Sequence, residues 1–238
     1  MQPVVTVLCV AVVMIAVERM RPGVRQPKVP GWIFRLVVLN VAQVAVVYLG
    51  TYTWDRWLPQ WKLFDGASLA APLGAALGYV AITFVFYWWH RARHQIPMLW
   101  RYLHQVHHSP VRIECAMSFY KHPLEIAING VLSSSVLYVL IGLTPATAAT
   151  VVAITGLAEL FYHWNVRTPY WLGFVFQRPE MHRRHHERNW HRSNYSDLPI
   201  WDMLFGTFEN PRKMPEVCGF KGGAEQHLGS LLLGRGPR

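Results

Sequence analysis

Apolar positions along this 238-residue chain fall in long blocks, with the polar residues gathered between them. Pro3 to Val17 is apolar except for Thr6. Leu36 to Trp54 and Ala67 to Trp89 carry no charge, and Leu124 to Phe161 holds two apolar stretches broken at Gly142-Leu143-Thr144-Pro145. Crossing a bilayer takes about 20 mostly apolar residues, so the second and third runs qualify and the first is marginally short. The runs lack the alternation of barrel strands, and backbone groups in lipid must pair internally, so helices are predicted. The fold class expected is all-α: an integral membrane helix bundle of about four spans, the last a hairpin turning at Gly142 to Pro145, with a His-rich helical cap. Arg19 and Arg21 follow the first run where a secretory signal would place basic residues before it, so a retained anchor is expected.

Composition supports this reading. The chain is 52% hydrophobic and 15% charged, against about 25% charged in soluble domains. The net charge of +10 is unevenly placed. Arg19, Arg21, Arg25, Lys28 and Arg35 lie between the first two runs, and Arg91, Arg93, Arg101, Arg112 and Lys121 follow the third. The second loop balances Arg56 and Lys62 with Asp55 and Asp65. By the excess of basic residues in cytoplasmic loops, the first loop and everything after Arg91 are expected inside, and Trp54, Trp57 and Trp61 at the outer interface. No nucleic-acid motif is present, so the charge is assigned to topology and anionic lipid. Cys9, Cys115 and Cys218 form no CxxC pair, which argues against a thiolate zinc site.

One domain is expected over 1–210, with N-terminal spans in 1–66 and a histidine-bearing core in 67–210. A loosely ordered tail is expected over 211–238. Eight of the twelve histidines form three clusters: His90-Arg-Ala-Arg-His94, His104-Gln-Val-His107-His108 and His182-Arg-Arg-His185-His186. Helical residues three and four apart share a face, so each cluster aims two imidazoles one way, while the adjacent His reaches a neighbouring position. Neutral imidazole is the commonest side-chain metal ligand. A zinc site needs at most four protein ligands, so eight histidines suit two ions. Imidazole suits iron, zinc, copper and nickel alike.

HxxxH, HxxHH, a lone His and a second HxxHH, set among membrane helices, resemble the fatty acid hydroxylase and sterol desaturase superfamily. The likeness extends to Pro97-Met98-Leu99-Trp100-Arg101-Tyr102-Leu103-His104, to His122-Pro123-Leu124-Glu125, and to Ile200-Trp201-Asp202-Met203-Leu204-Phe205-Gly206-Thr207-Phe208. It covers about residues 70 to 210. The resemblance implies two non-haem iron ions, O2 as cosubstrate, and hydroxylation or desaturation of a C–H bond in a membrane lipid such as a sterol or fatty acyl chain. It implies His90, His94, His104, His107, His108, His163, His182, His185 and His186 as metal ligands and catalytic residues. Glu159, four residues before His163, stands where relatives often have Gln or His, and is a further candidate ligand or orienting group. His122 reads as structural, and His191 and His227 have no assigned role. In His191-Arg192-Ser193-Asn194-Tyr195-Ser196, Arg192 stands where relatives often carry Asp and Ser196 where they often carry Gly.

Breaking an unactivated C–H bond needs a redox-active metal, which zinc is not. Phe84, Tyr87 and Trp88 are expected to line the lipid's way in. No dinucleotide, haem or iron–sulfur motif is present, so electrons must come from a separate carrier, such as a cytochrome b5-like protein, a ferredoxin or a flavoprotein reductase. Arg183 and Arg184 are candidates to dock it. The expected location is a bacterial inner membrane, with the metal site on the cytoplasmic side. A zinc-dependent membrane hydrolase is the alternative, with Glu159, Glu180 or Glu187 as base. A metal-binding or transporting membrane protein is a weaker one, because the first three runs contain no His.

Overall fold

The computed structural model describes residues 2–236, with side chains from Val5. The regular elements are helical, and no strand occurs among the described residues. They are α1 (Gln2–Met20), α2 (Trp32–Tyr52), α3 (Ala71–Gln95), α4 (97–108), α5 (Pro123–Leu140), α6 (Pro145–His163), α7 (Pro179–His185), α8 (Pro199–Leu204) and α9 (Leu228–Leu232). Four helices are long and apolar enough to cross a membrane: α2 with its extension to Trp61, α3, α5 and α6. Between 17% and 28% of the residues in their most apolar windows are buried. The outer faces therefore carry exposed Val41, Val44, Leu73, Leu77 and Val80, as a lipid-facing surface does. α1 packs on α6 through Met14 and Leu160.

The bundle closes through small residues. A Cβ on Gly78 of α3 would lie 2.9 Å from Val151 of α6 and 3.1 Å from Leu137 of α5. Ile82, Val136, Leu143 and Ala148 complete this core. Glycine lets membrane helices approach where no hydrophobic effect drives them together. The hairpin turn falls where the sequence places it. Gly142 has φ 75°, and a Cβ there would sit 1.9 Å from the Phe64 carbonyl, so no other residue fits. Thr144 then caps α6 by accepting from the Thr147 amide at 3.2 Å, with Pro145 in the first turn.

The two ends of the bundle are distinct. At one, the loop before α3 pairs with the hairpin: the Leu63 amide donates to Val139 and that of Gly66 to Ile141. At the other, the loop between α1 and α2 lies against the His-rich segments. The Gly23 amide donates to the Asn165 carbonyl, and Arg112 donates to Pro27. The first loop and the histidines thus share one side, as the charge pattern expects.

Three local expectations change. Trp57 and Trp61 are exposed, but Trp54 is wedged between helices, where a Cβ on Gly50 or Gly130 would meet its ring at 2.4 or 2.8 Å. Tyr87 is fully buried and hydrogen-bonds Thr207 and Arg91, so only Phe84 and Trp88 of the expected lining reach the surface. The tail is packed rather than loose. Cys218 and Leu231 share a core with Trp32, Leu39, Val106 and Tyr120, and the buried Glu225 accepts from the Val111 amide at 2.8 Å. Its apolar residues fill separate holes in the cap, so they leave no period to read.

Candidate metal centre

Four elements converge at the cap. The last turn of α3 continues past Trp89 and carries His90 and His94. Segment α4 contains a π-helical turn, Trp100–His104, before its α-helical end. Such bulges re-aim side chains and cluster at functional sites. α6 ends on His163, and α7 carries His182 and His185 with His186 at its C-cap.

The nine histidines divide into two groups. His90, His94, His104, His108 and His185 form the first; His107, His163, His182 and His186 form the second. In each, one nitrogen per ring lies within 4.8 Å of all the others. The division crosses the sequence boxes. Each HxxHH gives its i, i+4 pair to one group and its remaining ring to the other: His104 and His108 with His185, His182 and His186 with His107. The groups touch where His108 stacks on His186, with ring centroids 4.1 Å apart.

Hydrogen bonds fix which nitrogen faces inward. A carbonyl oxygen can only accept, so each ring Nδ1 beside one must carry the proton. His90 Nδ1 donates to Tyr195 O at 2.8 Å, His107 to Tyr120 O at 3.2 Å, His163 to Glu159 O at 2.8 Å and His185 to Ser193 O at 2.7 Å. His104 Nδ1 donates to the Glu125 carboxylate at 3.1 Å. Five Nε2 lone pairs therefore point inward. His108 Nε2 lies 3.2 Å from His104 Nε2 and 3.1 Å from His185 Nε2. His182 Nε2 lies 3.0 Å from those of both His163 and His186.

These spacings test the fit to a metal. Nδ1 of His108, His182 and His186 has no partner, so either a proton on Nε2 or a shared cation accommodates these spacings, and about 3 Å separates neighbouring nitrogens on one ion with bonds near 2.1 Å. His90 Nε2 and both His94 nitrogens are buried with no hydrogen-bond partner, an expensive arrangement for a neutral cavity. Burial holds His104, His107, His108, His182 and His186 well below the usual imidazole range, and takes His185 down to about 3. The rings are neutral, as ligands must be. Each group fits one metal ion.

The residues behind the histidines are less legible in the sequence. Glu125, fully buried, pairs with Arg93 while accepting from His104. Asp202 accepts from the amides of Tyr195 and Ser196 at 2.8 and 3.0 Å and from Thr207 Oγ1 at 2.7 Å, and so pins the loop whose carbonyls hold His90 and His185. Both acids lie in the motif stretches, and an acid at the head of an apolar run is a signal in itself, because it demands a partner. Glu159 stands outside both groups: its carboxylate pairs with Lys121, and its backbone carbonyl serves His163. His122 caps α5, accepting from the Leu124 amide. His191 lies over the first group, its ring 4.8 Å from His108 and 5.1 Å from Trp100. Arg183 is buried and donates to Pro215 O, and Arg184 is paired with Glu187 and Glu209, so neither arginine is a free docking charge.

Known proteins resemble this chain in sequence. The chain is 31% identical over 194 residues to an ornithine lipid hydroxylase of Rhizobium tropici, covering 79% of this chain and 54% of that protein. It is 29% identical over 162 residues to the alkylglycerol monooxygenase of Homo sapiens, covering 66% and 34%. A very-long-chain aldehyde decarbonylase of Oryza sativa is 29% identical over 125 residues, covering 51% and 48%. The chain thus spans about half or less of the length of these relatives. No solved structure matches it. The fatty acid hydroxylase model matches residues 75–207, which contain all nine histidines and the acids behind them, and the chain belongs to the fatty acid hydroxylase family.

Proposed function

We propose that this protein is an O2-dependent oxidoreductase that hydroxylates a C–H bond of a membrane lipid at a pair of iron ions. The observation that carries this reading is the division of nine histidines, seven of them buried, into two touching groups whose nitrogens converge within 4.8 Å. Two irons, when bound, supply the redox chemistry that couples O2 reduction to C–H oxidation. The overall balance is one lipid C–H, one O2, two electrons and two protons to one C–OH and one water. The electrons come from a separate carrier. The relatives named as a lipid hydroxylase and a monooxygenase support hydroxylation over desaturation.

The chain's own residues hold, orient and shield. His90, His94, His104, His108 and His185 would hold one ion; His107, His163, His182 and His186 would hold the other. Glu125 and the carbonyls of Tyr120, Glu159, Ser193 and Tyr195 keep the rings in the ligating tautomer. The buried cap excludes water, and the lipid-facing bundle beneath it admits an apolar chain. The basic loop on the same side as the histidines supports a cytoplasmic cap. The zinc hydrolase has less support, because its candidate bases are engaged: Glu159 by Lys121, Glu180 by Thr168 and Arg178, and Glu187 by Arg184.

Metal content of protein purified anaerobically tests the reading, beside a His107→Ala, His185→Ala variant that removes one ligand from each group. We expect about two irons per chain, lost in the variant, and O2-dependent addition of one oxygen atom to a lipid. One tightly held zinc, with no iron taken up on reconstitution, would overturn it.

A further inference from the structure

One side of the cap is built inside out. The short helix α8 buries its acid and exposes its apolar residues. Asp202 is 1% exposed, while Ile200, Met203 and Leu204 are exposed, Leu204 at 63%. A helix bathed in water shows the opposite pattern. The turn Tyr170–Phe174 and the two residues after it behave alike. Trp171 is 65% exposed, and Phe174, Val175 and Phe176 are exposed beside it. The two segments are in contact. The Phe174 ring lies 5.8 Å from that of Phe208, which follows α8, and the Gln177 amide donates to the Asp197 carbonyl at 2.9 Å. Together they make one apolar strip.

Hydrogen bonds set the level of this strip. Trp201 Nε1 donates to Thr83 Oγ1 of α3 at 3.0 Å, and Ser196 Oγ donates to Thr83 O at 3.2 Å. The Trp201 ring meets Phe84 with centroids 4.9 Å apart, and Phe205 meets Trp88 at 4.7 Å. The apolar run of α3 ends at Trp89. At 1.5 Å per residue, Thr83 lies about 9 Å from that end, on the membrane side. α8 is therefore held beside the span, not above it. Arginines stand at the edges of the strip: Arg91 lies over the Trp88 ring at 5.6 Å, and Arg212 over that of Tyr170 at 4.3 Å.

We propose that residues 170–176 and 199–205 form a second membrane-embedded surface, a wedge that the cap sinks into the acyl region of the leaflet on the metal side. Its occupant is lipid, because the strip continues a lipid-facing surface. Phe84 and Trp88 are exposed on α3, a span whose outer face meets lipid, and their rings run directly into Trp201 and Phe205. A contiguous exposed apolar patch marks a protein or a membrane contact. A depth of about 9 Å is that of helices lying in the plane of a bilayer surface. Arg91 stands beyond the end of the apolar run, at the level of lipid phosphates. The wedge also ties the leaflet to the first histidine group. On the buried face of α8, Asp202 pins the loop whose carbonyls hold His90 and His185, so the wedge fixes the height of that group over the lipid. This inference is independent of the reaction that the metals support. A soluble partner or a second copy on the strip would instead keep lipid and water alike away from it.

The experiment uses the metal-loaded full chain in vesicles of phosphatidylcholine and phosphatidylglycerol. Cys9 is exposed, whereas Cys115 and Cys218 are buried, so a Cys9→Ser background lets one added cysteine carry a bimane label. Phe174→Cys and Leu204→Cys probe the two halves of the strip. Val80→Cys on the lipid face of α3 and Glu216→Cys on the cap, both at exposed positions, are the references. Each is quenched by phospholipid bearing a nitroxide near the top of its acyl chain and, separately, by aqueous iodide. We expect both strip positions to be quenched by the lipid several-fold more strongly than Glu216→Cys, and to be shielded from iodide as Val80→Cys is. Iodide quenching as strong as at Glu216→Cys would overturn the proposal. Shielding from both quenchers would also overturn it, and would place protein over the strip. Metal content is measured on each variant, and if one strip variant loses its metal the other decides, because the two positions lie on separate segments.

Discussion

The two histidine groups differ in number, cover and support. The first has five rings, of which His90 and His94 are partly accessible, and one of its ligands is backed by a full carboxylate, Glu125. The second has four rings, all buried, and the two rings with fixed Nδ1 partners there lean on neutral carbonyls of Tyr120 and Glu159. A carboxylate behind an imidazole makes it a stronger donor than a carbonyl does. The first group thus has donors to spare and an open edge; the second is closed and has none to lose. On the proposed reading, a pair of ions held this unevenly would not respond evenly to damage.

Ligand removal should break the comparison most strongly. His182→Ala leaves three rings in the second group, and its Nε2 is the one near both His163 and His186. Iron is expected to fall from about two to about one per chain, with turnover lost. His90→Ala leaves four rings in the first group, as many as a closed structural site requires. There, iron stays near two per chain under saturating metal, with affinity reduced about 10- to 100-fold. Metal analysis with a competitive chelator distinguishes the cases. Equal loss in both variants would show that the groups act as one site.

Acid treats the two groups alike, and so isolates what ligand number alone contributes. His104, His108 and His185 of the first group and His107, His182 and His186 of the second all have folded pKa values below that of free imidazole, with His185 at about 3. Between about pH 6.5 and 3 the unfolded chain binds protons on these rings that the folded chain does not. Stability of the metal-free protein is therefore full above about pH 6.5 and falls as pH drops below it, by up to about 1.4 kcal/mol per ring per pH unit. Thermal unfolding of metal-free protein at pH 7.5, 6.5 and 5.5 measures this, and a flat profile would contradict the assigned burial. Metal withholds the same nitrogens from protons, so loading should shift the loss to lower pH.

The supports should then damage only one side. Asp202→Ala frees the loop that presents Ser193 O and Tyr195 O, and both carbonyls serve the first group. Glu125→Gln removes the charge that holds Arg93 and His104. Breaking such a buried pair costs about 3–5 kcal/mol. Each variant should weaken the first ion about 10- to 100-fold and spare the second. Spectroscopy that resolves a single residual iron would show this.

These supports also mark where the sequence stopped being readable. The spans, the hairpin turn at Gly142 and the three histidine clusters follow from run length, from a glycine followed by a capped proline, and from periodic spacing, all of them local signals, whereas the lone His163 stood out only through the family resemblance. The sorting of the boxes is not local. His107 and His108 are neighbours on an α-helical turn and point about 100° apart, yet which group each joins is set by which rings the approaching α7 and α6 bring to it. Asp202 acts through an amide seven residues earlier and a carbonyl beside it, a linkage made only when the loop folds back. The tail was opaque for the same reason: Leu231 meets Trp32, Leu39 and Val106 through tertiary contact alone.

The smallest effect is expected at Glu159, and it bears on the second group's count of ligands. Were the carboxylate a fifth donor there, its removal would cost an ion. Instead it pairs with Lys121, while the backbone carbonyl of the same residue orients His163. Glu159→Gln keeps that carbonyl and the side-chain volume. Burial already brings Lys121 down to about 7, so the ammonium left behind can shed its proton near neutrality instead of remaining as an unpaired buried charge. The expected cost is about 1–3 kcal/mol of stability, with both irons retained and the second ion's affinity within about threefold of wild type. Loss of one iron from this variant would make Glu159 a ligand after all and erase the difference in number between the two groups.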